Sequence, residues 1–178
     1  MKLQLNAVEL NKIIAFTSED KTRSILQNVN FCAVGDNEIE IVATDGAAMC
    51  IYRRKLTDNE VAPKTPVMLQ FPKLKKGLVS IEVTENPVIY TIINNDVKSA
   101  VIASAGQFPN YNVILPADMG KVPLATEFAY FSWKQLKKLE NVMGKKQPRA
   151  QKALAPHFWT ENFGGVSWTV VIMPIKLA

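Results

Sequence analysis

At 178 residues, 48% hydrophobic and with a formal net charge of +5, the chain is long enough for one domain, or one and a half small ones, with a sizeable core. No apolar run reaches the length that crosses a bilayer. The opening MKLQLNAVELNK has no signal pattern, because polar residues interrupt it every two or three positions, so the chain reads as cytoplasmic. One histidine, His157, and two cysteines, Cys32 and Cys50, argue against a metal cluster, and the thiols read as reduced and structural.

KLQLN opens the chain as an alternating strand, and Asn6 caps a helix with Ala7, Leu10, Ile13 and Ile14 on one face. VNFCAV (29–34) leads through Gly35-Asp36-Asn37 into EIEIVAT (38–44). Asp45-Gly46 then makes a two-residue turn into AAMCIYRR (47–54), since Asp and Gly tolerate the positive φ of tight hairpins. Pro72 is a good first residue for a second short helix. LVSIEVTE (78–85), PVIYTIIN (87–94) and VKSAVIAS (97–104) read as a meander. A third helix follows Ser132, with Trp133, Leu136, Leu139 and Val142 or Met143 as its buried stripe. The segment GKKQPRAQKALA (144–155) is basic and reads as a loop. PHFWT (156–160) and VSWTVVIMPIK (166–176) form a hairpin across ENFGG.

These elements repeat. KLQLNAVELNKII (2–14), PVMLQFPKLKKGL (66–78) and EFAYFSWKQLKKL (127–139) each read as a strand followed by a helix, with Leu10, Leu74 and Leu136 spaced 64 and 62 residues apart. The fold class is therefore α+β, a β-α-β-β-β unit used three times and shortened in the third.

Charge is uneven along the chain. Residues 1–120 carry 12 Lys/Arg against 13 Asp/Glu, a net of −1, and residues 121–178 carry 9 against 3, a net of +6. Lys134, Lys137, Lys138 and Lys145 follow one side of the third helix, and Lys12, Lys73, Lys75 and Lys76 lie similarly in the first two. A lysine-rich helix face is often only a solvated face. Repetition in all three units points instead to a phosphate-facing surface. GxSxG, GxxxxGK[ST], DxD and HExxH are all absent, and the turn accounts for Asp45. The chain reads as a non-enzyme with no cofactor and no metal.

Three stretches, VATDGAAM (42–49), GQFPNYNVILP (106–116) and VVIMPIKL (170–177), resemble segments of the bacterial DNA polymerase III β subunit, the sliding clamp. In that family they read approximately ATDGHRL, GRFPDYRRVLP and VVMPMRL, in the same order. The resemblance covers nearly the whole chain but not the whole family protein. Residues 1–117 resemble the family's complete middle domain, and residues 118–178 resemble the second half of its third.

The resemblance implies a DNA-clamp fold of about one and a half domains and a non-catalytic processivity factor that encircles duplex DNA. Lys12, Lys73, Lys76, Lys134, Lys137 and Lys138 would face the phosphates without reading bases. A pocket for a short peptide of polymerase or clamp-loader partners would form from Leu26, Thr44, Gly46, Met49, Pro109, Tyr111, Ile114, Met173, Pro174, Ile175 and Lys176. Ala47-Ala48 and Asn112-Val113 stand where the family has His-Arg and Arg-Arg, which removes polar rim groups. The family ring has twelve units, so a head-to-tail homotetramer is expected, with a dimer as the simpler form. Two alternatives stand beside this reading. One is a clamp-derived peptide-binding adaptor or decoy that never encircles DNA. The other is an unrelated nucleic-acid-binding α+β protein.

Overall fold

Strand β1 (Lys2–Asn6) alternates exposed and buried residues, and its last residue starts helix α1 (Ala7–Ile14). Asn6 accepts the Val8 N–H at 2.8 Å, so an orphan donor of the first turn is satisfied. Ala7, Leu10 and Ile13 are buried, as their spacing predicts. The computed structural model describes residues 1–85, 87–125, 129–144, 146, 148–150 and 155–175.

Strands β2 (Val29–Val34), β3 (Glu38–Thr44), β4 (Ala48–Lys55), β5 (Val67–Leu69), β6 (Leu78–Glu85), β7 (Val88–Asn94) and β8 (Val97–Val101) follow, then helix α2 (Trp133–Met143) and the hairpin β9 (His157–Phe163) and β10 (Val166–Ile172). Two antiparallel sheets result, one of four strands in the order β1-β6-β7-β8 and one of six in the order β5-β2-β3-β4-β10-β9. β4 pairs with β10 from Ala48↔Ile172 to Arg54↔Val166. One continuous sheet therefore joins strands from residues 1–117 with strands from residues 118–178.

The near-continuous apolar runs of β3 and β4 are explained by cover on both faces. On one face, Phe31, Ile39, Ile41, Cys50, Tyr52, Trp159 and Ile172 share a core with α1, α2 and the inner residues of β1, β6 and β7. On the other, Val42, Met49, Ile51, Phe158 and Val171 pack beneath Phe108 and Val122 of the connector at 108–122. α1 and α2 touch each other, α1 resting on β3 and β4 and α2 on β9 and β10.

Three expectations are corrected or left partly open. Residues 71–77 form no helix. Five residues after Pro72 comes Gly77, with φ +131°, too short a run to repay helix nucleation. Side chains satisfy this backbone instead: Lys75 N–H donates to Asn94 Oδ1 at 2.7 Å, Asn94 Nδ2 donates back to Lys75 O at 3.1 Å, and Asn11 Nδ2 donates to Leu74 O at 3.2 Å. Leu74 is nevertheless buried, in the same core as Leu10. Trp133 is 75% exposed, and the inward stripe of α2 is Gln135, Leu139 and Met143 with Leu136 and Val142 flanking. Gln135, one turn before Leu139, shares its face, whereas Trp133, six residues before it, points away. The opening strand expected at 127–131 lies partly outside the described residues, and 129–132 is irregular.

Cys32 and Cys50 are free thiols, the first half-buried and the second buried. No described helix is long and apolar enough to cross a membrane. His157 is a core residue, 1% exposed, with Nδ1 at 2.9 Å from Ala155 O and its ring edge-on to Phe131.

Candidate partner pocket and lysine surface

The hairpin between β3 and β4 is built by its own side chains. Asp45 Oδ1 accepts Ala47 N–H at 2.9 Å and Ala48 N–H at 2.8 Å, and Thr44 Oγ1 accepts Gly46 N–H at 3.0 Å while donating to Ala48 O at 2.9 Å. Gly46 needs its φ of +91°, and a Cβ there would lie 3.1 Å from Arg23 Nη1. Beyond β10 the chain stays on this hairpin, since Met173 N–H donates to Ala47 O at 2.9 Å.

Between the hairpin, the connector and the end of β10 lies a cavity of about 220 Å³, lined by Leu26, Thr44, Gly46, Ala47, Ala48, Met49, Pro109, Asn110, Tyr111, Ile114, Val171 and Met173. Eight of the eleven residues expected from sequence line it. Pro174 and Ile175 do not, and Lys176 lies outside the described residues. Sequence reasoning left out Val171, whose inward direction follows from strand alternation, and Asn110. It named Ala47 and Ala48 only as losses at the rim, and they form part of the wall.

One wall is fixed by a buried carboxylate. Tyr111 O–H donates to Glu40 Oε1, and Arg53 Nε donates to Glu40 Oε2. Burial, and then the bond to Glu40, push the Tyr111 hydroxyl far above its ordinary range, so it stays a donor. Phe108 meets the Tyr111 ring edge-on at 6.2 Å.

Ile175 N–H donates to Tyr130 O at 2.7 Å. The terminal segment therefore runs beside the entry to α2, where Tyr130 and Trp133 are 62% and 75% exposed. Sequence periodicity assigned Trp133 to the core and so missed this aromatic surface.

The six candidate DNA-facing lysines divide. Lys137 is exposed with no partner among the described residues, and Lys73 and Lys76 are exposed on the loop beside α1. Lys12 Nζ sits 5.7 Å over the Trp168 ring. Lys134 Nζ pairs with Glu19 Oε2 at 2.5 Å, which holds the Glu19 carboxyl below its ordinary range. Lys138 Nζ pairs with Asp45 Oδ2 at 2.8 Å and lies over Phe16, with only 11% of its side chain exposed. Burial pushes the Asp45 carboxyl up, but Lys138 and the two turn N–H groups outweigh it and hold it below the usual value. No group of acidic, histidine or cysteine side chains among the described residues is arranged to hold a metal ion.

No family model matches the sequence, and no curated protein matches it. Solved structures do. The sliding clamp (DNA polymerase III subunit beta) of Bartonella birtlesii bound to griselimycin superposes with a TM-score of 0.70 at 16% identity, covering 99% of this chain and 66% of that one. The DNA polymerase III beta chain of Streptococcus pneumoniae gives 0.68 at 14%, covering 99% and 65%. The Caulobacter crescentus polymerase III beta gives 0.69 at 16%, covering 99% and 66%. This chain thus spans about 65% of the length of the clamps it matches, and over that span it has the sliding-clamp fold.

Proposed function

We propose that the chain is a non-catalytic, sliding-clamp-like processivity factor. It contacts or surrounds duplex DNA through α1, α2 and the 71–77 loop, and it takes a short linear peptide of polymerase or loader partners in the pocket between Thr44 and Met173. The observation that carries this reading is the convergence of three distant stretches, 42–49, 106–116 and 170–173, on one apolar cavity within a sliding-clamp fold. Apolar walls with few polar groups suit leucine and aromatic anchors. On this reading residues 1–117 act as a complete clamp domain and 118–178 as half of a second.

Ring closure then requires other copies of the chain. Four chains of three units make a twelve-unit head-to-tail tetramer, and a dimer is the simpler form. Multi-angle light scattering together with retention on nicked circular versus linear DNA tests this. An oligomer retained on circles in a salt-sensitive manner supports it, and a monomer at micromolar concentration that binds no DNA sinks it.

A second reading, a peptide-binding adaptor or decoy that does not encircle DNA, is favoured by one observation. Lys134 and Lys138, two of the helix α2 lysines, are engaged by Glu19 and Asp45, which weakens the field toward phosphates. Peptide binding without salt-dependent DNA association selects this reading.

A further inference from the structure

A second concavity, of about 610 Å³, opens on the outer face of the six-stranded sheet. The register sets Arg53 beside Ser167 and Ser167 beside Asn162. In the next row Ile51 lies beside Thr169, and Thr169 beside Thr160. One row further, Met49, Val171 and Phe158 are buried beneath the connector. The face turns polar where its cover withdraws, and the withdrawn edge supplies an apolar wall of Leu115, Pro116 and Met119.

Two guanidinium groups border this cleft. Among the described residues the Arg149 side chain is oriented by Nη1 donating to Val122 O at 2.7 Å, and that of Arg53 by its Nε bond to Glu40. A guanidinium has five N–H donors in a planar fork, so both keep donors beyond the bond that orients them. Fixed forks of this kind match carboxylates bidentately.

The cleft and the partner pocket are related through shared lining residues of the connector. Ile114 borders the pocket and a small intermediate groove, and Leu115 and Pro116 border that groove and the cleft. Glu40 also ties the two together, since Tyr111 of the pocket and Arg53 of the cleft bind its two oxygens. A lone anion would need only the cleft. Neighbouring concavities that lead from an apolar pocket, past Pro116, to two arginines fit an extended chain.

We propose that the cleft holds an acidic extension of the same peptide whose apolar residues fill the pocket, with Arg53 and Arg149 on its carboxylates. This rests on the pocket reading above.

The test is fluorescence anisotropy with three labelled synthetic peptides. One carries leucine and phenylalanine anchors alone, and the others add a run of aspartates at its N-terminus or at its C-terminus. At low salt one extended peptide is expected to bind the wild-type chain about tenfold tighter than the plain one. The gain is expected to vanish in Arg149→Gln and in Ser167→Glu, while the plain peptide binds all three proteins alike. Ser167 is half-exposed on the cleft floor, so its variant probes the cleft even where Arg149→Gln loosens Val122. If neither extension tightens wild-type binding, or if the gain survives either substitution, the cleft assignment falls and the pocket stands. If the plain peptide does not bind the wild type, the pocket reading falls and the cleft with it.

Discussion

Lys138 Nζ lies 2.8 Å from Asp45 Oδ2, with side chains only 11% and 19% exposed. The contact ties helix α2 to the hairpin that walls the candidate pocket, across 93 residues of sequence. Removing either partner strands the other, and the two losses are unequal. Asp45→Ala deletes three hydrogen bonds and leaves a nearly buried ammonium, whereas Lys138→Met keeps the turn bonds and the packing over Phe16. Urea denaturation is expected to show a loss of about 2–4 kcal/mol for Asp45→Ala and about 1–2 kcal/mol for Lys138→Met.

The same contact sorts the lysines. Lys137→Glu is expected to weaken association with duplex DNA and to reduce the slope of log K against log salt by about one. Lys73→Glu and Lys76→Glu are expected to do likewise. Lys138→Met, which removes a lysine already engaged, should leave the slope unchanged. Filter binding across a salt series measures all four, and equal slopes throughout would remove the DNA-facing assignment.

Glu60 sets an acid limit. It is 8% exposed and accepts Arg54 Nη1 at 2.7 Å and Arg54 Nη2 at 2.5 Å, together with the N–H groups of Gln4 at 2.7 Å and Thr57 at 2.9 Å. Burial pushes its carboxyl up, but these four donors outweigh burial and lower it from 4.5 to about 2. A depressed carboxyl adds stability above its unfolded value and loses it as pH falls through the folded one. The chain is therefore expected to lose stability between pH 4.5 and about 2. Glu60→Gln should be less stable at neutral pH and flatter across that window, as read by thermal melts over pH.

Gln135 is 8% exposed, and its Oε1 has no partner among the described residues. An unpaired buried acceptor costs about 1–3 kcal/mol, and helix propensity is equal or better for leucine and methionine. Gln135→Met is expected to raise the melting temperature by a few degrees, and a lowered one would show that the amide is satisfied.

Gly46→Val tests the pocket. A branched side chain meets both the positive φ and Arg23 Nη1, at a cost of about 1–3 kcal/mol in stability. It also fills space bounded by Leu26, whose Cδ1 lies 3.7 Å from the Cβ position. Peptide affinity measured by anisotropy is expected to drop at least about tenfold. Met49→Lys, which puts a charge on the same hairpin wall, should drop it similarly without straining the turn.

Much of this arrangement was legible in the sequence because local chemistry and tertiary packing agree there. Asn6 and the alternating or fully apolar strands follow local chemistry. The Asp45-Gly46 signal found the hairpin though its centre is one residue later, at Gly46-Ala47, and the stretches 42–49, 106–116 and the start of 170–177 meet at the cavity. The 71–77 segment was misread because Pro72 and a central leucine fit a helix. The competing side chains, Asn94 and Asn11, come from distant positions that local pattern does not reveal. The phase of α2 was misread at one residue because polarity favours Trp133 as a core residue over Gln135, whereas the helix buries Gln135 and exposes Trp133. The cleft at Arg53 and Arg149 left no motif at all, for it exists only where β4, β9, β10 and the connector meet.

The ladder from Ala48↔Ile172 to Arg54↔Val166 also orders the birth of the molecule. Its pairs are separated by up to 124 residues, and contacts so distant in sequence form late. During synthesis β4 waits as a bare edge, open to false pairing with other strands, until β10 emerges from the ribosome. The pocket, walled by Thr44–Met49 on one side and Val171–Met173 on the other, comes into being only when that ladder zips. A nascent or truncated chain on this route would have helix α1 and the four-stranded sheet yet lack this cavity, which appears only when folding is complete.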